Sequence, residues 1–191
     1  MNPIAQTIIL SFSTVRMIPH IALYLLHKKE IDKDLVKLQD RKPTVLNFIK
    51  ACTREKCFRN LFYYRLGEYV SFPFRWMLPR ESSFHIWCPE IGEGAHMEHS
   101  YATYINAESV GKDFYCLHLV TIGNGKGGRP IIGDNVKVYT GATIFGKVKI
   151  GNNVTIGAQT LVHTNVPDDC TVIGNPARIV KLRGKKTDIE L

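Results

Sequence analysis

The chain is short of several things, and each shortage narrows its class. Its five cysteines, Cys52, Cys57, Cys88, Cys116 and Cys170, are scattered and odd in number, with no CxxC pair. That pattern speaks against a disulfide framework or a zinc knuckle and for free thiols in a reducing, cytoplasmic setting. Acidic residues are few: 17 Asp and Glu stand against 25 Lys and Arg, a net charge of +8. Such an excess suits an anionic partner, a phosphate-bearing cofactor or a membrane surface. No aromatic residues are interleaved with a basic strand, as nucleic-acid modules need, so a nucleic-acid partner is not expected. Much of the charge lies in His27-Lys28-Lys29, Arg41-Lys42 and the tail Lys181, Arg183, Lys185 and Lys186, where ordinary solvated surface is the competing explanation.

A long uninterrupted apolar run is also missing. Residues Ile8 to Leu26 are rich in apolar side chains, but Arg16, Pro19 and His20 break them up. A spanning helix wants about 20 largely apolar residues. No small-residue cleavage site follows a basic start, so a signal peptide is not expected. A buried cap or trimer-contact helix is the plainer reading. The alternative is an amphipathic segment lying peripherally on the inner leaflet of a membrane, helped by the basic run behind it.

What the chain does have is a period of six. Ile132, Val138, Ile144, Ile150, Ile156 and Val162 fall in step, and Val136, Ala142, Val148, Val154, Thr160 and Val166 run four residues on from each. That is the period of neither a helix nor an alternating strand. It marks a mainly β fold, the left-handed parallel β-helix of hexapeptide repeats, in which three hexads make one triangular coil. Gly133-Asp134-Asn135, Gly151-Asn152-Asn153 and Gly157 supply corner residues tolerant of positive φ. We expect residues 1–80 to be helical, with Asp32 to Leu38 and Val45 to Phe62 the clearest stretches, punctuated by Pro43, Pro73 and Pro79. Residues 81–180 form the repeat domain, with coils from about Ile91 to Ile179, and 181–191 are a mobile basic tail.

The register extends upstream and exposes a candidate site. Ile91 and Met97 are six apart, as are Val110, Cys116 and Ile122, and Cys116 is expected in the core. Met97 to Val110 is thirteen, so one extra residue must be absorbed around Ser100 to Tyr104. Ile122 to Ile132 is ten, and Asn124-Gly125-Lys126-Gly127-Gly128-Arg129 is read as a glycine-rich loop thrown outward. If the extra residue bulges, His99 and His118 lie on one face a coil apart, at about the 4.8 Å strand spacing. Glu98 and the basic loop are expected to converge on the same patch, while His96 falls on a turn as a structural residue.

From about Ile91 to Lys181 the chain resembles the serine acetyltransferase group of hexapeptide acyltransferases, with relatives in surface-polysaccharide gene clusters. Ile91-Gly92-Glu93-Gly94-Ala95-His96-Met97-Glu98-His99 resembles the family's IGxGxxxDH run, with Glu98 in place of the aspartate. Val120-Thr121-Ile122-Gly123 resembles its VTLGG turn, Asn124 to Pro130 a shortened glycine-rich loop, and Gly174-Asn175-Pro176-Ala177-Arg178 its GxPAR signature. The resemblance implies a homotrimer with acetyl-CoA between adjacent prisms and no metal. It implies His99 as general base with Glu98 beside it, His118 and Arg129 at the acceptor, and Gly123, Asn124, Gly141, Ala142, Arg178 and Lys181 at the cofactor. Backbone N–H groups near Gly123 would face the oxyanion.

The departures bear on the acceptor. The family's loop ends in an Arg-His pair, and here only Arg129 remains. The aspartate before the first coil has no clear counterpart; Phe84 or His85 falls near its place, and Glu98 and Glu90 are the available carboxylates. These differences lean toward an O-acetyltransferase acting on a sugar or surface-glycan precursor. The alternatives are L-serine as acceptor and a noncatalytic scaffold. A zinc hydratase on the same fold would need two histidines five apart, whereas His96 and His99 are three apart.

Overall fold

A computed structural model describes residues 16–39 and 42–191. The chain divides into two compact units, the residues up to Glu81 and Ser82–Leu191. Expectations for residues before Arg16, and for Arg41, fall outside the described residues.

The first unit is helical: α1 (Ile18–Leu26), α2 (Lys28–Gln39), α3 (Val45–Arg54), α4 (Lys56–Leu66) and the short α5 (Glu68–Ser71), then a 3-10 turn at Phe72–Phe74. Pro19 sits in the first turn of α1, where its missing N–H costs no helical bond. The Thr44 hydroxyl accepts from the Asn47 N–H (3.1 Å) and starts α3. The stretch expected as one helix over Val45–Phe62 is split, because Glu55 is extended (φ −109°, ψ 98°). The core is aromatic. Tyr24 stacks on Phe48 (centroids 4.4 Å apart), and Phe62 meets Phe48 edge-on at 5.1 Å. Asp34 and Arg65 form a buried two-pronged pair (2.9 and 3.1 Å) that ties α2 to α4. In α1, His20 and Tyr24 are buried while Leu25 and Leu26 are exposed. Among the described residues no helix is long and apolar enough to cross a membrane.

The second unit is the parallel β-helix. Sheet A stacks β1 (Phe84–Ile86), β3 (Thr103–Ile105), β6 (Thr121–Gly123), β9 (Thr143–Phe145) and β12 (Leu161–Val162). Sheet B stacks β4 (Ser109–Val110), β7 (Ile131–Ile132) and β10 (Lys149–Ile150), and single bridges at Ile91 and Val166 extend it at both ends. Sheet C stacks β2 (His96–Met97), β5 (Tyr115–Cys116), β8 (Lys137–Val138), β11 (Thr155–Ile156) and β13 (Cys170–Ile173). Both files of the six-residue period point inward: every residue of the two files is 7% exposed or less. The coils begin earlier than expected, since β1 pairs in parallel with β3 and places Phe84 in the core. His96 is on β2, not on a turn, and meets the Tyr115 ring edge-on (5.4 Å).

The three sheets meet along three edges, and each edge has its own chemistry. The edge from B to C carries a column of glycines. A Cβ on Gly111 would lie 2.5 Å from the Gly133 backbone, and one on Gly133 would lie 2.7 Å from the Gly151 carbonyl oxygen. Beside it runs a ladder of side chains. The Asp134, Asn152 and Asp168 carboxyl or amide oxygens accept from the backbone N–H groups of Lys112, Asp134 and Asn152, at 2.7–2.8 Å. Left-handed Asp113, Asn135, Asn153 and Asp169 recur once per coil along this edge.

The tail expected to be mobile is ordered. β14 (Arg178–Leu182) turns back antiparallel on β13, and β15 (Lys185–Glu190) pairs with β14. Arg183 (φ 47°) and Gly184 (φ 79°) make the two-residue turn, in which both residues need positive φ.

Candidate functional site

The edge from C to A differs between coils. Met97 is in register with Cys116, and Ile105 with Ile122. Met97 to Ile105 is eight residues along the chain and Cys116 to Ile122 is six, so the first coil carries two extra residues at this edge. The coil recovers one residue between Ile105 and Val110, which accounts for the total of thirteen. Backbone bonds identify the insertion. The Leu119 N–H donates to the Tyr101 carbonyl (3.0 Å), as Gly141 does to His118 and Gln159 to Thr140. Tyr101 is therefore the counterpart of His118, and His99 and Ser100 have none.

This corrects the expected pairing of the two histidines. The ring stacked on His118 is Tyr101 (4.8 Å, 14° between planes), not His99. Ser100 turns inward, with its hydroxyl donating to the Cys116 carbonyl (3.2 Å). His99 turns outward, exposed, at φ 49°. The other left-handed residues at this edge, Ala102, Leu119, Gly141 and Gln159, repeat once per coil; His99 does not belong to that file. Its strained backbone is a product of the insertion, held by the Tyr101 N–H on the His99 carbonyl (2.7 Å).

Glu98 is tethered. Its Oε2 accepts from the Tyr115 hydroxyl at 2.5 Å. Burial, and then the hydrogen bond to Glu98, push the Tyr115 phenol well up, so it serves as a protonated donor. His118 keeps a buried Nδ1 with no hydrogen-bond partner among the described residues.

The remaining expected residues scatter over the prism. Gly141 lies on the same edge as His99, two coils beyond, with the Gln159 amide folded over it. Ala142 is fully buried and points into the core, so it offers no surface to a ligand. Gly123 ends β6 at the opposite margin of sheet A, and Asn124 and Arg129 follow it before β7. The glycine-rich loop is not flung outward. Gly125 and Gly128 bond to each other in both directions (3.1 and 3.2 Å), and Gly127 and Gly128 rest against Lys147. Arg129 is engaged with Glu108 through Nε (3.2 Å) and Nη2 (2.8 Å). Arg178 is held by Asp188 (2.6 Å) and Glu190 (2.5 Å) of β15, and Lys181 lines a cleft at the glycine edge. The expected convergence of loop and histidines on one patch therefore does not occur within a single prism. Sequence reasoning missed Tyr101 and Tyr115, although an aromatic following a histidine in an over-long coil was visible as an irregularity. His85 takes the place near the absent aspartate, but it stacks between Trp87 (5.3 Å) and Tyr104 (4.9 Å) on sheet A. Among the described residues no three His, Cys, Asp or Glu side chains gather as a metal site would require.

Comparison with known proteins agrees with this architecture. Residues 129–164 match the family described as bacterial transferase hexapeptide (six repeats). The chain is 30% identical over 169 residues to a serine acetyltransferase of Buchnera aphidicola, covering 78% of this chain and 63% of that one. The serine O-acetyltransferase structure from Brucella melitensis has the same fold, with a TM-score of 0.69 and 25% identity over 88% of this chain and 74% of that one. A serine acetyltransferase of Neisseria gonorrhoeae, solved in complex with serine, gives a TM-score of 0.63 at 27% identity over 79% of this chain and 68% of that one. The chain spans less than two thirds of the length of the curated relatives it matches. These similarities overturn the expectation of a sugar or surface-polysaccharide acceptor, because the relatives are named for serine.

Proposed function

We propose that the chain is an acetyl-CoA-dependent O-acetyltransferase that converts L-serine to O-acetylserine, with His99 as general base. The observation that carries this reading is the place of His99. It is an exposed imidazole on an insertion of its own, next to a carboxylate held still by Tyr115. The names of the relatives support serine as acceptor and an acetyl group as what is transferred.

The chemistry follows from the groups. A serine hydroxyl is a poor nucleophile at neutral pH, so a neutral imidazole nitrogen of His99 takes its proton as the oxygen attacks the thioester carbonyl. The tetrahedral intermediate collapses with loss of the thiolate, which recovers the proton from the imidazolium. Glu98 lies beside this centre, where a carboxylate offers an ion pair to the ammonium of an amino-acid acceptor. The donor also fits the edge. Ala102, Leu119, Gly141 and Gln159 form an outward track across four coils, about 14 Å long at the strand spacing, suited to an extended pantetheine arm.

Arg129, Gly123 and Asn124 sit at the other margin of sheet A, so one prism alone does not complete the site. In a homotrimer, each prism gives His99 to one interface and its loop to the next. Backbone N–H groups near Gly123, and Arg129, of the adjacent copy would then face the oxyanion and the acceptor carboxylate.

The test is thiol release from acetyl-CoA in the presence of L-serine. Wild type should turn over, with O-acetylserine as product, and His99→Ala should lose about 10²- to 10⁴-fold. Equal rates in the two proteins would remove His99 from the mechanism. No release and no acetyl-CoA binding would leave a scaffold without chemistry.

A further inference from the structure

The terminal hairpin is segregated in charge. At its open end, the Asp188 and Glu190 carboxylates are both spent on Arg178. At its turn stand Lys181, Arg183, Lys185 and Lys186, none of which makes an ion pair with another of the described residues. Lys181 and Lys186 are direct cross-strand partners. Like charges in that relation repel and weaken a strand pair. The strand that bears the strain, β15, is exposed along nearly its whole length.

The turn does not wave free. The Arg183 N–H donates to the Asp169 carbonyl (2.7 Å), which pins it against the last rung of the glycine edge. Between them lies a cleft of about 450 Å³, lined by Lys181, Arg183, Thr171, Asn153 and Asp169 among others. Asp169 is the one carboxylate in that lining, and its Oδ1 already accepts from Asn153 Nδ2 (2.8 Å). Two cations, a hydroxyl and an amide thus border a space large enough for a phosphate group and a small body attached to it. The cleft lies at the B-to-C edge, whereas His99 lies at the C-to-A edge, with the width of sheet C between them.

We propose that this cleft is a binding site for a small phosphate-bearing anion, separate from the acyl-transfer edge. The anion bridges Lys181 and Arg183, relieves the repulsion between Lys181 and Lys186, and so tightens the hairpin. Its phosphate belongs to a free metabolite, and occupation by the acetyl-CoA phosphates is the alternative that the experiment separates from it.

The full chain is titrated with inorganic pyrophosphate by calorimetry at 0.15 M salt, where exposed charges are largely screened from one another beyond about 8 Å. Hydrogen exchange of residues 178–190 is followed in parallel. One anion per chain should bind, with slower exchange in β15. Lys181→Ala with Arg183→Ala should weaken binding at least about tenfold, and the charge-matched pair Lys50→Ala with Lys149→Ala less than about twofold. Absence of binding by wild type overturns the proposal, and this decides the matter even if the double variant fails to fold. Equal weakening by both pairs also overturns it, by showing general charge attraction only. Acetyl-CoA affinity is then measured on the same variants. An unchanged value supports a separate site. A parallel loss shows the cleft to hold the acetyl-CoA phosphates and refutes the separation. The pyrophosphate result stands whether or not the chain transfers acetyl groups.

Discussion

Tyr115 is given no part in the proton transfer, yet its hydroxyl fixes the carboxylate of Glu98, the residue that precedes the proposed base. A neutral donor on a charged acceptor is typically worth about 1.5–3 kcal/mol, so Tyr115→Phe should lower kcat/KM by about ten- to a hundredfold. Glu98→Gln in that background should then cost little more, because the two residues act as one unit. Fully additive losses would show that Tyr115 only fills space. His20 offers a different prediction. Its imidazole is fully buried, with Nε2 on the Tyr63 hydroxyl (2.8 Å) and an Nδ1 that meets no hydrogen-bond partner among the described residues. Burial, opposed in part by a backbone bond at Phe74 and aided by the charges of Arg16 and Arg59, lowers its pKa from 6.5 to about 4. The unfolded chain therefore takes up a proton over that interval which the folded chain refuses. Stability from this group is complete above about pH 6.5 and is lost as the pH falls toward about 4. The urea midpoint should drop across that window, and drop less in His20→Gln; parallel curves would exonerate His20.

Along the B-to-C edge the constraint is a matter of space. A methyl group on Gly111 would meet the Gly133 backbone at 2.5 Å as well as the Asp134 carboxylate, and the backbone cannot swing aside as a side chain can. Gly111→Ala should therefore cost about 1–3 kcal/mol in urea unfolding. Gly123→Ala, whose new methyl would find nothing nearer than 4.0 Å, should cost much less. The six-residue period made these coils legible, because every inward position reports the same environment on each turn. It could not place the insertion within the first coil. The count of thirteen gave the net excess of one, whereas the structure spends two residues at His99 and Ser100 and saves one before Val110. Only strand pairing distinguishes those solutions, and so Tyr101 was overlooked as the neighbour of His118. The hairpin was missed for another reason. Arg183-Gly184 is a less familiar pair for a turn of two positive φ values than Asn-Gly, and the basic composition around it suggested solvation. Buried polar contacts such as Asp34 with Arg65 leave no periodic trace at all.

Taken as one body, the prism keeps its proposed base and its glycine-rich loop on opposite margins of sheet A. Two inactive proteins should then rescue each other. His99→Ala and Arg129→Ala, unfolded and refolded together in equal amounts, should regain about a quarter of wild-type activity, since a quarter of the mixed interfaces join two intact margins. No recovery despite confirmed mixing would place both residues in the same copy's site. The insertion that carries His99 has a consequence for how such a catalyst arises. The strands on either side of it pair as though those two residues were not there. A deletion of His99 with Ser100 should leave the coils stacked and the reaction gone. Gaining or losing the base is thus a change of two codons, made without renegotiating a single rung of the scaffold.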